Sequence, residues 1–264
     1  MRVSVLGVGV LGRGLPGWEV ARAVLRGEQA WDGGEVAMVA PGFLAPNERR
    51  RAGVVTRLAL GVAQEAVMRA GGEPGGLRTV FGSSNGDGGT VHEILMELTE
   101  VAPQVSPTQF HNSVHNAAAG YWTIGHGARA GSVSVGCYDE SWAGALLTAV
   151  AEVVSEDQRV LLVVYDCALP EPLAEKRPTE GVFGAAFVLA PGVAEEALAV
   201  LDVTYEAGAG EVPVSGPEWL REMAGGNPAA RALPLLAALA EGRGGELAWE
   251  YVGGALRVRV RVGL

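Results

Sequence analysis

Apolar residues recur along the chain as short continuous runs alternating with longer, spaced sets, the pattern of an α/β layered fold rather than of a sandwich or a helical bundle. Val3 to Leu6 predicts a first strand, and Trp18 to Arg26 has the apolar spacing of a first helix. After a connection rich in Pro and Gly, from Pro41 to Pro46, residues Val55, Leu58, Val62, Ala66 and Ala70 line one face of a helix over 54–70, which Gly71-Gly72 stops. Thr79 to Phe81 predicts a strand that runs into the glycine-rich turn Gly82 to Gly89, and 90–98 reads as helical. Ala117, Ala118 and Ala119 open a helix over 116–126, where small side chains admit a close neighbour. Val133 to Val135 is a β-branched strand element, and the Ala-rich helix after it, 140–154, has the composition of a fully buried one. Val160 to Tyr165 and Phe183 to Leu189 are continuous apolar runs of the central-strand kind, separated by a loop holding Pro170, Pro172 and Pro178. Beyond Pro191 the pattern gives a strand over 200–205, a helix over 229–239, and strands over 247–252 and 256–262 joined by Gly253-Gly254 as a hairpin.

Composition narrows the class. With 264 residues, 48% apolar and 19% charged, the chain affords one large core or two small ones, which excludes a disordered chain, a coiled coil and a collagen-like repeat. Thirty acidic against twenty basic residues leave a formal charge of −10, and Arg49-Arg50-Arg51 is the one basic run, so nucleic acid and anionic membrane are not expected partners. No apolar run reaches the ~18 residues of a membrane span. The apolar opening, Val3 to Leu11, is broken by glycine and reads as a strand and turn rather than a signal peptide. Cys137 and Cys167 cannot build a disulfide framework or a cysteine zinc site, so a reducing cytoplasm is expected, with no cofactor or metal implied.

Three short patterns suggest chemistry. Gly7-Val8-Gly9-Val10-Leu11-Gly12 matches the dinucleotide fingerprint GxGxxG, but Gly14, Pro16 and Gly17 follow where a helix should already be running, so a tight turn without ligand is expected. Gly82-Ser83-Ser84-Asn85-Gly86 matches GxSxG between a strand and a helix, which would make Ser84 a hydrolase nucleophile. That chemistry needs a general base late in the chain, and no histidine follows His126. His92, His111 and His115 read as histidines hydrogen-bonded within turns rather than as metal ligands.

Longer stretches resemble one family. Asn47-Glu48-Arg49-Arg50-Arg51 leading into Thr56-Arg57-Leu58-Ala59-Leu60 and Gln64-Glu65-Ala66 resembles the Arg-rich lead-in and following helix of β-ketoacyl synthases. Val80-Phe81-Gly82-Ser83-Ser84, the stretch from Ser106-Pro107 through Phe110 and Asn116-Ala117-Ala118-Ala119-Gly120, and Gly127-Ala128-Arg129 continue the likeness in order over roughly residues 1–190. The resemblance implies a thiolase-like layered α/β/α sheet fold: an N-terminal ketosynthase half, 1–192, with a shortened C-terminal part, 193–264, packed on the same domain. Synthases place a nucleophilic cysteine at a strand-to-helix junction, where the helix N-terminus lowers its pKa. Ungapped from Gly127-Ala128-Arg129, that position falls on Asp139, with Cys137 two residues earlier and about 7 Å away along a strand. The paired histidines that drive malonyl decarboxylation in the C-terminal half also have no counterpart after His126. Asp139-Glu140 reads as a carboxylate pair complementing a helix dipole.

A synthase-like chain without its nucleophile resembles the short chain-length-factor subunits of aryl-polyene-type clusters, which share segments similar to Asp139-Glu140-Ser141-Trp142 and to Tyr165-Asp166 with Leu169-Pro170-Glu171-Pro172. This resemblance implies a non-catalytic subunit that pairs with a cysteine-bearing ketosynthase in polyketide, aryl-polyene or fatty-acid-type biosynthesis. Ser132, Val133, Ser134 and Val135 are then expected at the interface. Phe110, His115, Trp122 and Trp142 are expected to contact the interface or tunnel. Because acyl carrier proteins are acidic like this chain, the carrier is expected to dock on the partner. Three alternatives stand beside this reading: an acyltransferase using Cys137, a Ser84 acyl hydrolase, and a homodimeric acyl-binding protein.

Overall fold

The computed structural model describes residues 1–39, 41–208, 210 and 212–263. In chain order its elements are β1 (Arg2–Gly12), α1 (Trp18–Leu25), α2 (Pro46–Arg51), α3 (Val54–Ala70), β2 (Arg78–Gly82), α4 (Gly88–Glu97), α5 (Pro107–Asn112), α6 (Ala117–His126), β3 (Ser132–Val135), α7 (Ser141–Glu156), β4 (Val160–Cys167), α8 (Leu173–Lys176), β5 (Val182–Pro191), β6 (Ala199–Ala207), α9 (Glu218–Gly226), α10 (Leu233–Glu241), β7 (Gly245–Tyr251) and β8 (Gly254–Arg261). The strands form one eight-stranded sheet in the order β3-β2-β4-β5-β1-β6-β8-β7. β3, β2 and β4 run parallel, and every other neighbouring pair is antiparallel.

Helices cover both faces of the sheet. One core packs α1, α7, α9 and α10 onto Val3, Val5, Val8 and Val10 of β1 and onto Leu162, Val164 and Phe187 of the central strands. The opposite core packs α3 and α6 onto Leu6, Phe81, Leu161, Val163 and Val188. This is the thiolase-like α/β/α layering that the sequence resemblance implies.

β1 runs through the stretch read above as a turn, and the reason lies in its glycines. A bulge between Val5 and Gly7 shifts the alternation, so Val3 and Val5 before it and Val8 and Val10 after it share a core. Gly7 and Gly9 then face α3 at backbone contact: a Cβ on Gly7 would lie 2.3 Å from the Ala66 carbonyl oxygen, and one on Gly9 2.1 Å from that of Val62. Gly7 and Gly9 are therefore a helix-packing device, while Gly12, the third glycine of the motif, leaves room for the Phe183 ring of β5 (2.8 Å from a Cβ there).

Other differences have local causes. Pro46 and Pro107 each open a short helix, α2 and α5, because a proline at a first helical position gives up a donor that has no partner there. The helix expected over 229–239 begins as a 3-10 turn, Ala229–Ala232, and becomes α-helical at Leu233 with Pro234 in its first turn. α9 was absent from the apolar pattern since its buried positions reduce to Leu220 and Ala224. The loop before β5 carries the single turn α8. The last hairpin turns on Val252-Gly253, both at positive φ (+46° and +70°), one residue earlier than expected.

The contact between β1 and α3 yields a prediction. Gly9→Ala raises strand propensity yet forces a methyl into the Val62 carbonyl, so it should destabilise the protein by about 1–3 kcal/mol or more. Urea unfolding of the variant measures this, and an unchanged midpoint would contradict the close approach.

Candidate functional site

At the carboxyl ends of β2, β3 and β4, three connections meet. The turn from β3 into α7 contributes Gly136, Cys137 and the 3-10 turn Tyr138–Glu140. The glycine loop after β2 contributes Ser83, Ser84 and Asn85, the end of β4 contributes Asp166, and the segment between β4 and β5 contributes Arg177. Gly82 is required for this convergence, since a Cβ there would lie 2.6 Å from the Ala145 methyl on α7.

Asp166 is the electrostatic centre of the cluster. Its side chain has no solvent exposure, and Oδ1 accepts from Ser83 Oγ (2.9 Å), the Ser84 N–H (2.9 Å) and the Asn85 N–H (3.3 Å). Oδ2 has no hydrogen-bond partner among the described residues. Burial pushes the carboxyl up to about 6, against the opposing pull of those donors and of the Arg177 charge. Ser83 passes the order on: its Oγ accepts from the Gly86 N–H, and its carbonyl lies 2.9 Å from His115 Nε2.

Arg177 ties the loops together. It donates to Asp139 Oδ1 (2.7 Å) and to Ser84 Oγ (2.7 Å), and its guanidinium lies 4.8 Å from the centroid of the Tyr138 ring. Glu140 anchors the other flank of the turn, accepting from the Val252 N–H at the tip of the β7–β8 hairpin (3.0 Å). Sequence reading passed over Asp166 as a chemical centre and Arg177 altogether. A charged residue directly after the apolar run 160–165 was the one signal present for the former, and the latter sits in a loop whose spatial neighbours no local pattern reports.

The residues singled out from the sequence separate into groups. Asp139 is exposed and engaged by Arg177. Cys137, expected along the strand, is half-buried in the turn two residues past the end of β3, where burial, and then the Glu140 charge, push its thiol up. A thiol so placed has little thiolate at neutral pH. Ser84 Oγ meets Arg177 and Asn85, neither a base. Ser132 is exposed, and Val133, Ser134 and Val135 are partly buried on the outermost strand of the sheet. Phe110 on α5 is 67% exposed. His115 lies against the turn, with Nε2 3.0 Å from where a Cβ on Gly136 would stand.

Trp122 and Trp142, expected at the interface or tunnel, are both fully buried, one in each core. Trp142 packs on Phe187 and Trp249, and Trp122 on Phe43 and His126. The four histidines are dispersed over α4, α5, the α5–α6 connection and α6, and no cluster of three or more potential metal-ligating side chains occurs among the described residues. A cleft of about 920 Å3 opens on the α3 side between α2, α4 and α5, with Arg50, Arg51, Asp87, Gln109 and Cys167 in its walls. The Cys167 thiol is pushed up to about 12, chiefly by burial and further by Asp166 and Asp87.

Comparison with known proteins gives a consistent result. The family profile described as β-ketoacyl synthase, N-terminal domain, matches residues 25–212, well over half of the chain and across the boundary expected at 192. No curated protein matches. Among solved structures, a ketosynthase (ApeO) in complex with its chain length factor (ApeC) from Xenorhabdus doucetiae aligns with a TM-score of 0.72 at 20% identity, over 98% of this chain and 99% of that one. The ishigamide ketosynthase/chain length factor aligns over 100% of both chains with a TM-score of 0.75 at 15% identity. A type II polyketide synthase acyl-carrier protein in complex with its ketosynthase bound to the hexaketide, AntDE:AntF, aligns with a TM-score of 0.73 at 11% identity, over 100% and 99%. At these identities the likeness is one of fold. No described helix is long and apolar enough to cross a membrane.

Asp166 makes the site pH-sensitive. Its carboxyl keeps its proton to a higher pH in the native state than in the unfolded chain, so ionising it subtracts stability as pH rises from about 4 to about 6, on the order of 3 kcal/mol in all. Urea unfolding between pH 4 and 7 should show wild type losing stability across that window relative to Asp166→Asn. Parallel profiles would contradict the buried charge.

Proposed function

This chain belongs to the β-ketoacyl synthase family through its N-terminal domain, and we propose that within it the chain serves as a chain-length-factor-like subunit that pairs with a catalytic ketosynthase. The observation that carries this reading is the chemistry at the β3–α7 junction. There Asp139 is spent in an ion pair with Arg177, and Cys137 is held as a neutral thiol. No histidine touches either group in the described hydrogen bonds, whereas a condensing site needs an activated nucleophile and a base beside it. The acyltransferase and Ser84 hydrolase readings lack support on the same ground.

The sheet edges support a partnered role. β7, one edge, carries Glu246 and Glu250 and receives the Val212 N–H on its Ala248 carbonyl (3.3 Å). β3, the other edge, is four residues long, carries no charge and, among the described residues, pairs on one side only, with β2. Proteins protect free edges with charge or cover, so an uncharged, uncovered edge is suited to meeting a second sheet. Ser132 to Val135 would lie at that meeting. α5, which carries Phe110, also supplies Thr108 and Gln109 to the large cleft, and the cleft would contribute to the space that receives a growing acyl chain. The carrier protein would dock on the partner.

Co-expression with a cysteine-bearing ketosynthase tests the proposal. Purification through a tag on one subunit should recover both at one to one, and a Val133→Lys change on β3 should reduce recovery at least tenfold. Exposing the purified chain to a reactive acyl thioester should add no mass at Cys137 or Ser84. A covalent adduct, or a stable homodimer that takes no ketosynthase, would overturn it.

A further inference from the structure

Three non-glycine residues hold positive φ among the described residues: Asp157, Val252 and Tyr138. Asp157 is the left-handed cap that ends α7, and Val252 turns the last hairpin. Both positions need that backbone to reverse the chain. Tyr138, at φ +51°, starts the 3-10 turn leading into α7, and bulky residues are outliers in this region. Strain persists where the surroundings over-determine it, and they do so here. Asp139 is fixed by Arg177, Glu140 by the hairpin tip, and the Tyr138 carbonyl accepts from Ser141 Oγ (2.6 Å).

What the strain achieves is display. Tyr138 is 74% exposed, and Arg177 lies against its ring while being mostly buried itself. The ring is thus pointed outward yet held in one pose. It stands three residues past the end of the uncharged edge strand β3. On the other side, His115 holds the α5–α6 connection against Gly136, so the exposed Val114 (47%) flanks the same turn. Tyrosine and arginine are the residue types that dominate protein interfaces, and holding an aromatic ring in one pose before contact lowers the ordering cost of binding.

We infer that Tyr138, braced by Arg177, is the anchor of the contact with the ketosynthase subunit, inserted into that partner beside the strand pairing made by β3. This inference rests on the subunit reading above. The partner it fits is a subunit of the same fold that offers a free sheet edge to Ser132–Val135 and, next to it, an apolar recess with an acceptor for the phenol hydroxyl. The partner class is argued from the uncovered edge and from the likeness in fold to ketosynthase/chain length factor complexes.

The strain makes the test sharp, because stability and binding should move in opposite directions. Tyr138→Gly removes the ring and suits the left-handed backbone, so the isolated subunit should melt a few degrees higher than wild type. Its affinity for the co-purifying ketosynthase, measured by calorimetry, should fall at least tenfold. Tyr138→Asn, which also tolerates this backbone, should show the same loss of affinity, and Tyr138→Phe should keep most of it. Arg177→Lys, which keeps a charge for Asp139 but not the planar stack, should weaken binding severalfold. If wild type binds the ketosynthase and the Gly and Asn variants bind within twofold of it, the anchor role is wrong while the subunit reading stands. If wild type binds no ketosynthase, both fall together.

Discussion

Asp166 is a carboxylate placed at the end of a central strand, where its side chain has no solvent exposure, and the geometry of the site follows from satisfying it. Leaving water costs a carboxylate several kcal/mol unless donors replace the hydration shell. Three donors from the glycine loop do so at Oδ1, which fixes the loop's backbone and leaves Ser84 Oγ where Arg177 reaches it. Arg177 in turn sets Asp139 and the Tyr138 ring. The β3–α7 turn, the glycine loop and the segment before β5 thus share one polar network, and each is positioned by the next.

The layers beneath make that network possible. α3 approaches β1 at backbone distance through Gly7 and Gly9, and α7 approaches β2 at Gly82, so both helical layers sit closer to the sheet than Cβ-bearing strands permit. The carboxyl ends of β2, β3 and β4 are drawn together by that tight packing. The same topology puts the turn at one edge of the sheet, beside a strand whose far side has no partner. A strand-to-helix junction of this kind serves nucleophilic catalysis when it presents an activated thiol. Here it presents a half-buried thiol pushed up by burial, an ion-paired carboxylate and an aromatic ring against Arg177, the set on which the proposed subunit role rests.

Much of the fold was legible because its elements are long and regularly patterned. The apolar face of α3 gave both of its ends, and the continuous runs gave β4 and β5 as central strands. Local patterns misled where the cause lies across the fold. The glycines of β1 imitate a phosphate turn, and only the position of α3 shows why they are glycine. Trp122 and Trp142 have the size to shape an interface or tunnel, and which core each one enters is set by elements far along the chain. The site was half legible: the β3–α7 junction and the glycine loop stand out as motifs, whereas Asp166 and Arg177 matter through contacts far apart in the chain, 83 residues from Ser83 to Asp166, 93 from Arg177 to Ser84 and 38 from Arg177 to Asp139. The family likeness supplied the order of the motifs but not the charge network around Asp166 and Arg177.

The central claim is that the free edge of β3 meets a ketosynthase subunit. Backbone hydrogen exchange, resolved over Ser132–Val135 in the isolated chain and in its co-purified complex, tests it most directly. Outward-facing amides on an unpaired edge exchange readily, and pairing with a second sheet slows them. The account predicts marked slowing of exchange in this strand on complex formation, with β7 unchanged. Equal exchange of β3 in the free and complexed states would contradict it.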